Sequence, residues 1–548
     1  MSRYLFRISY GPVQPFIAAS RRTRDLGSGS ELLVKVGRWI QDEAANRANG
    51  IEWVFPHDKG AAAANILQFV ASTDDPARLA RDCRTAVVRR FREAYDRLDL
   101  PSGDLAERQF DAYLQFFAAW EPLAEGSDYE QANRRVQERL AVRKALRTFP
   151  VAPSHEGVRV DGRVQYPPKS PLLPSLDCVL PLDGIEVDAS AQQRYLVDPY
   201  EFLDGISLLK RRTIPPKPFP STLSICAMGA VSQLGDESTT QRFKSLVEKA
   251  AREGYDEDPG DLLYEKALED AELREDEDRR PTNPAPPDMR REVEDIRARI
   301  QQAGIRLRAY YAVLHADGDG MGARISRLQT IQEHREFSQN LARGFTESVE
   351  PIVERHHGRL VYAGGDDVLA LIPAETVLDC AVELNQKFCE SVPGCTLSVG
   401  VAVVHARHSL QHAVGLSRQL EGYAKKHPGK NALAFGVYPR NGGETVVRLG
   451  FGGDDAGPLS LQKFREHVSK WSSGVPRSLP YDLRAEAERL PSSPLPWVVP
   501  GAYQRIVQRK RLEVGAKLPP EWVNDRRSLL AYADHLAVAH FLTRGGSR

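Results

Sequence analysis

Two apolar stretches of this sequence stop at aspartate and glycine. "RLRAYYAVLHADGDG" (Arg306 to Gly320) ends in Asp317, Gly318, Asp319 and Gly320, and "VYAGGDDVLALIP" (Val361 to Pro373) encloses Gly364, Gly365, Asp366 and Asp367. Carboxylates at strand ends can meet at one point. Mg²⁺ or Mn²⁺ takes hard oxygen ligands and shares them with substrate phosphates. Two such ions, about 3.5–4 Å apart, can activate a hydroxyl and steady a leaving pyrophosphate. The chemistry this spacing suits is metal-assisted nucleotidyl transfer, with Asp317, Asp366 and Asp367 catalytic and Asp317, Gly318, Asp366 and Asp367 as the metal set. Gly318, Asp319, Gly320, Gly364 and Gly365 are expected beside the nucleotide, because glycine lets the chain turn and a phosphate come close. Lys425, near the end of a helix expected over 409–427, is placed to hold phosphates; a cation favoured by the helix C-terminus is the plain alternative. The same tetrapeptide recurs in "LGFGGDDAGPLS" (Leu449 to Ser460), but no apolar run follows it and Pro458 argues against a central strand, so a surface loop is expected there.

The elements that must carry these residues follow from periodicity. After the strand over 306–320 come a long amphipathic helix, a hairpin around Gly364–Asp367, a helix over 374–390, a strand over 395–404, the helix over 409–427 and a strand over 431–438. The order β-α-β-β-α-β, then α-β, predicts a ferredoxin-like palm with an extra strand, in which the first strand lies beside the hairpin. The N-terminal block repeats β-α-β-β-α, with strands at 3–11, 51–56 and 65–72, but carries "YGP" and "PHDKGAAAA" where the later block carries its acids. This predicts a second, degenerate palm. Residues 100–150 read as helical, 151–225 as irregular, and "REDEDRRPTNPAPPD" as a mobile charged segment. Beyond 445 the chain reads as mainly helical. The expected fold class is α+β: residues 1–150 a degenerate palm with a helical extension, 151–304 a middle α-rich domain, 305–445 the GGDD palm and 446–548 a C-terminal helical domain.

Composition sets limits. The 548 residues are 41% hydrophobic and 27% charged, and 74 basic residues balance 74 acidic ones. No partner need be held by overall basicity. The local runs "SRRTRD" (Ser20 to Asp25) and "LLKRRTIPPK" (Leu208 to Lys217) read as solvated helix faces or loops. The six cysteines show neither Cys-x-x-Cys nor zinc-ligand spacing, which suits buried free thiols in a reducing, cytoplasmic setting. Neither an apolar signal core nor a run of about 18 apolar residues is present, so no membrane partner is expected. His57-Asp58 is an isolated dipeptide in a hairpin loop.

The ordered set "YGPVQPFIAASRRTRDLGSGSELL" (Tyr10 to Leu33), "LDGISLLKRR" (Leu203 to Arg212), "FPST" (Phe219 to Thr222), "HADGDGMG" (His315 to Gly322), "YAGGDDVLALIP" (Tyr362 to Pro373), "LSVGVAVVHARHSL" (Leu397 to Leu410) and Ala424-Lys425 resembles the large, palm-domain subunit of type III CRISPR effector complexes, particularly the type III-B (Cmr) form. The resemblance implies an RNA-activated cyclase that joins ATP through 3′–5′ linkages into cyclic oligoadenylates. Asp317, Asp366 and Asp367 would hold the metals, and the degenerate palm would seat a second ATP, with Ser30 a contact. Guide CRISPR RNA, target RNA and smaller Cmr-type subunits are the implied partners. The palm signature begins near residue 4, so the HD nuclease domain of many relatives is expected to be missing. With only Cys178 and Cys226 in the middle region, no structural zinc is expected. Two other readings stay open: a non-catalytic scaffold, and a stand-alone diguanylate-type cyclase.

Overall fold

The computed structural model describes residues 2–548 except 61–64, 101–102, 124–125, 127, 147–157, 161–162, 181–186, 214, 216, 256, 269–282, 441, 453–459, 472–475, 477, 492–496, 511–521 and 544–548. The expected loop at the second GGDD falls largely outside the described residues, as does most of the expected mobile segment.

Twelve strands are described. β1 (Ser2–Gly11), β2 (Asn49–Phe55), β3 (Ile66–Thr73) and β4 (Gln115–Pro122) form one antiparallel sheet in the order β2-β3-β1-β4. β5 (Val158–Val160) and β6 (Arg163–Gln165) form a small hairpin. β7 (Tyr310–Asp319), β8 (Arg359–Gly364), β9 (Asp367–Pro373), β10 (Thr396–His405), β11 (Ala432–Tyr438) and β12 (Thr445–Gly450) form a second sheet, ordered β12-β11-β10-β7-β9-β8. Numbered within each unit, both sheets contain the strand order 4-1-3-2 of a ferredoxin-like fold, and the α+β class holds.

β4 lies inside the stretch expected to be helical. "QFFAAWEP" is aromatic and joins the sheet only by pairing with β1, a contact about a hundred residues distant in sequence. β12 likewise replaces helix just beyond 445, because it pairs with the edge strand β11. The long helix expected after β7 is divided into Met321–Ile325, Ile331–Asn340, a π-turn at Leu341–Thr346 and Glu347–Arg355. Thr330 caps the second piece by accepting from Glu333 N.

β7 is buried on both faces, and period two sorts its side chains. Ala312, Leu314 and Ala316 pack with Leu341, Phe345 and Phe388 from the helices on one face. Tyr311 and Val313 join Val414, Leu420 and Ala424 of the helix Leu410–Ala424 on the other. Each such side chain contributes roughly 1.5–3 kcal/mol when fully buried.

The irregular stretch 151–225 contains the helices Ala189–Tyr195, Gly205–Arg212 and Thr222–Ser232. The run "LLKRRTIPPK" is not a solvated face. Lys210 and Arg211 are each 1% exposed. Lys210 Nζ donates to Phe16 O, Ala19 O and Ser20 Oγ at 2.6, 2.6 and 2.8 Å. Arg211 makes paired bonds to Asp25 and Glu201 at 2.7–2.9 Å. Within "SRRTRD", Ser20, Thr23 and Asp25 are buried against this cluster. A buried charge must be paired, and these pairs tie the middle region to the segment that follows β1. The six cysteines are free thiols, five of them buried.

Candidate nucleotidyl-transfer site

The last aligned pair between β7 and β9 is Ala316 with Val368. One residue further along stand Asp317 and Asp367, on adjacent strands. Alternation sends both to the face covered by Leu410–Ala424, the face of Val313, Leu369 and His315. Asp366 is the neighbour of Asp367 and goes the other way. A Cβ placed on Gly318 would sit 2.8 Å from Asp366 Cβ and 2.9 Å from Met321 Cγ. Gly318 therefore leaves the space that Asp366 occupies, and Gly365, at φ +71°, makes the hairpin turn that brings it there. A Cβ on Gly364 would collide with the Tyr362 ring.

Asp317 is paired with Lys425, whose Nζ also lies 2.9 Å from Glu421 Oε1. Burial, then the neighbouring Lys430, lowers the Lys425 ammonium to about 8, so it stays largely protonated at neutral pH. Asp367 Oδ2 accepts from Gln14 Nε2 at 2.6 Å. Its Oδ1 lies 3.1 Å from His315 Nε2 without hydrogen-bond alignment; that oxygen and both ring nitrogens of His315 are buried with no hydrogen-bond partner among the described residues. Burial pushes the Asp366 carboxyl up to about 7, with the Asp367 charge adding to the rise and backbone amides opposing it. Burial also raises Glu421; His315 opposes the rise, and the Asp367 and Asp319 charges add to it.

The other expected residues fall into place as follows. Asp319 is 5% exposed and accepts from Thr396 Oγ1, Ser398 Oγ and Asn431 N at 2.8–3.1 Å, so its carboxylate braces β7 to β10 and to the start of β11. Gly320 is the left-handed N-cap of the five-residue helix Met321–Ile325. Ser30 is half-buried in the helix Thr23–Arg47 and makes no hydrogen bond to Asp317, Asp366 or Asp367. His57 and Asp58 lie side by side, Nε2 to Oδ2 at 3.6 Å. The sequence alone assigns no site role to Gln14, His315 or Glu421, although His315 stands two residues before Asp317 and so on the same face.

Among the described residues, no three His, Cys, Asp or Glu side chains converge as a set able to hold a metal ion. Mg²⁺, however, is usually held by one or two carboxylates with substrate phosphates and water, not by an all-protein cage. Facing carboxylates at Asp317 and Asp367, a lysine already drawn to one and an unpartnered oxygen on the other fit a hard divalent cation. Gly318, at the tip of β7 between them and Asp366, fits as a backbone neighbour.

The fold defines an α+β chain with two ferredoxin-like sheets, the second carrying acids at the tips of β7 and β9. Residues 310–434 match the family described as Cas10/Cmr2, second palm domain. The Cmr subunit Cmr2 of Pyrococcus furiosus is 34% identical over 174 residues, a match spanning 26% of this chain and 20% of that protein. The chain thus aligns with about a fifth of that curated relative's length. A cryo-EM structure of the type III-B Cmr-beta complex in its apo state contains a chain that superposes with TM-score 0.64 at 13% identity, over 98% of this chain and 82% of that one. A Csm1–Csm4 cassette in complex with cA4 superposes with TM-score 0.52 at 14% identity, over 99% and 70%. Residues 310–434 thus match the second palm domain of Cas10/Cmr2, and the chain as a whole shares the fold of the Cmr-beta chain.

Proposed function

We propose that this chain is the cyclase subunit of a type III-B CRISPR effector complex and forms cyclic oligoadenylates from ATP when target RNA pairs with a guide RNA. The observation that carries the reading is the placement of Asp317 and Asp367 at facing positions on β7 and β9, with Lys425 against one of them. The reaction is attack of one ATP's 3′-hydroxyl on another's α-phosphate, with pyrophosphate leaving. Asp317 and Asp367 would hold Mg²⁺ or Mn²⁺, which when bound supplies charge neutralisation and eases deprotonation of the hydroxyl. Asp366, at the tip of the hairpin against Gly318, would complete the metal set with the Gly318 backbone. Lys425 can leave Asp317 for a phosphate oxygen once other positive charge reaches the carboxylate. Gly318 makes room for Asp366, Gly364 for the Tyr362 ring, and Gly365 makes the turn that would let a phosphate approach, while Ser30 would belong to the second nucleotide's seat on the first palm. Guide RNA, target RNA and smaller Cmr-type subunits are the proposed partners, and the cytoplasm the proposed setting; no described helix is long and apolar enough to cross a membrane.

The assembled complex, incubated with ATP, Mg²⁺ or Mn²⁺ and target RNA, should yield cyclic oligoadenylate by mass spectrometry, and the Asp366→Ala/Asp367→Ala variant should yield none. Equal yield from that variant would reject the reading. A second reading draws on the Asp317–Lys425 pair: an acid that already has an internal counter-ion suits an idle site on a scaffold that binds RNA and subunits. It predicts normal assembly with no nucleotide product under any activator.

A further inference from the structure

Gln14 belongs to the first palm, yet it binds an acid of the second. Its Nε2 donates to Asp367 Oδ2 at 2.6 Å across a separation of 353 residues. Held through one oxygen, the carboxylate keeps its rotamer while Oδ1 stays without a hydrogen-bond partner. Removing an outer group that orients a ligating side chain typically costs about 10- to 100-fold in metal affinity or activity.

Gln14 is in turn fixed from elsewhere. It opens the short helix Gln14–Ala18, and the carbonyls of Phe16 and Ala19 with the Ser20 hydroxyl converge on buried Lys210. Lys210 sits on the helix Gly205–Arg212, whose N-cap Asp204 accepts from the Ile206 and Ser207 amides and from the hydroxyls of Ser170 and Ser207. The position of Gln14 is therefore set by the first palm and the middle region together, and the second palm receives it.

We propose that Gln14 is a positioning residue for Asp367, through which docking of the first palm sets the acidic pair of the second. This rests on the nucleotidyl-transfer reading above. The full chain, as parent and as Gln14→Met, which keeps the length and removes the donor, is titrated with Mn²⁺ by calorimetry; product formation is followed in the assembled complex. Gln14→Ala repeats both measurements in case the methionine disturbs the packing. The expected result is Mn²⁺ binding weakened about tenfold and kcat lowered about 10- to 100-fold, with KM for ATP and the melting temperature of the parent. A merely structural role would lower the melting temperature and move KM as well, and would overturn the proposal. Parental Mn²⁺ affinity and kcat in both variants would overturn it while leaving the proposed function standing. A parent that neither binds Mn²⁺ nor forms product would overturn both.

Discussion

Acidification should weaken the contact between the two palms through one histidine. His334, on the helix Ile331–Asn340 of the second palm, is 1% exposed and packs against the first. Its Nδ1 accepts from Tyr129 OH at 2.8 Å, and Gln68 Nε2 lies 3.4 Å away. Gln68 also bonds Tyr129 OH and Asn133 Oδ1, each at 3.1 Å, and Arg7 donates to its carbonyl. An accepting Nδ1 requires the neutral ring or a rearranged network. Burial, then nearby Arg7, pushes the His334 pKa from the ordinary 6.5 down to about 3. The unfolded chain thus binds the proton that the folded one refuses. The stability contributed is complete above pH 6.5 and is lost as pH falls toward 3. Taking these two values, the loss between about pH 7.5 and about pH 5 is roughly 2 kcal/mol. Urea unfolding of the full chain at both pH values, in parent and in His334→Gln, isolates the term: the variant should lose about 2 kcal/mol less on acidification. Parallel pH dependences in the two proteins would refute the reasoning.

Three further outcomes follow from the same structure. Arg211→Met should destabilise the chain by about 3–5 kcal/mol in chemical unfolding, because it strands the buried carboxylates Asp25 and Glu201. Gly318→Ala should cut product formation by about 100-fold with little change in melting temperature, since the new methyl group would meet Asp366 Cβ at 2.8 Å and move that carboxylate. Lys425→Met should leave Asp317 without its cation and raise KM for ATP in steady-state assays, with the complex still assembling.

The second palm was legible because its strands are apolar runs punctuated by acid and glycine, a pattern that fixes both strand and turn. Asp366 differs from Asp367 in standing in the turn, one residue before β9 begins, where it packs against Gly318. β4 was not legible, because an aromatic stretch between two helical patterns becomes a strand only when β1 offers an edge. The charges of Lys210 and Arg211 misled for a similar reason: their partners are Phe16, Ala19, Asp25 and Glu201, and only folding brings these together. The clue was the apolar residues all round "GISLL", which mark a buried helix. Gln14 carried no signal of its own, because a glutamine acquires this role only by reaching a carboxylate on another sheet.

The most direct measurement is an anomalous-scattering map of crystals of the full chain grown with ATP and Mn²⁺. The account predicts a peak between the carboxylates of Asp317 and Asp367, with Lys425 turned from Asp317 to phosphate. Nucleotide bound elsewhere, no peak at these two residues and Lys425 still on Asp317 would contradict it.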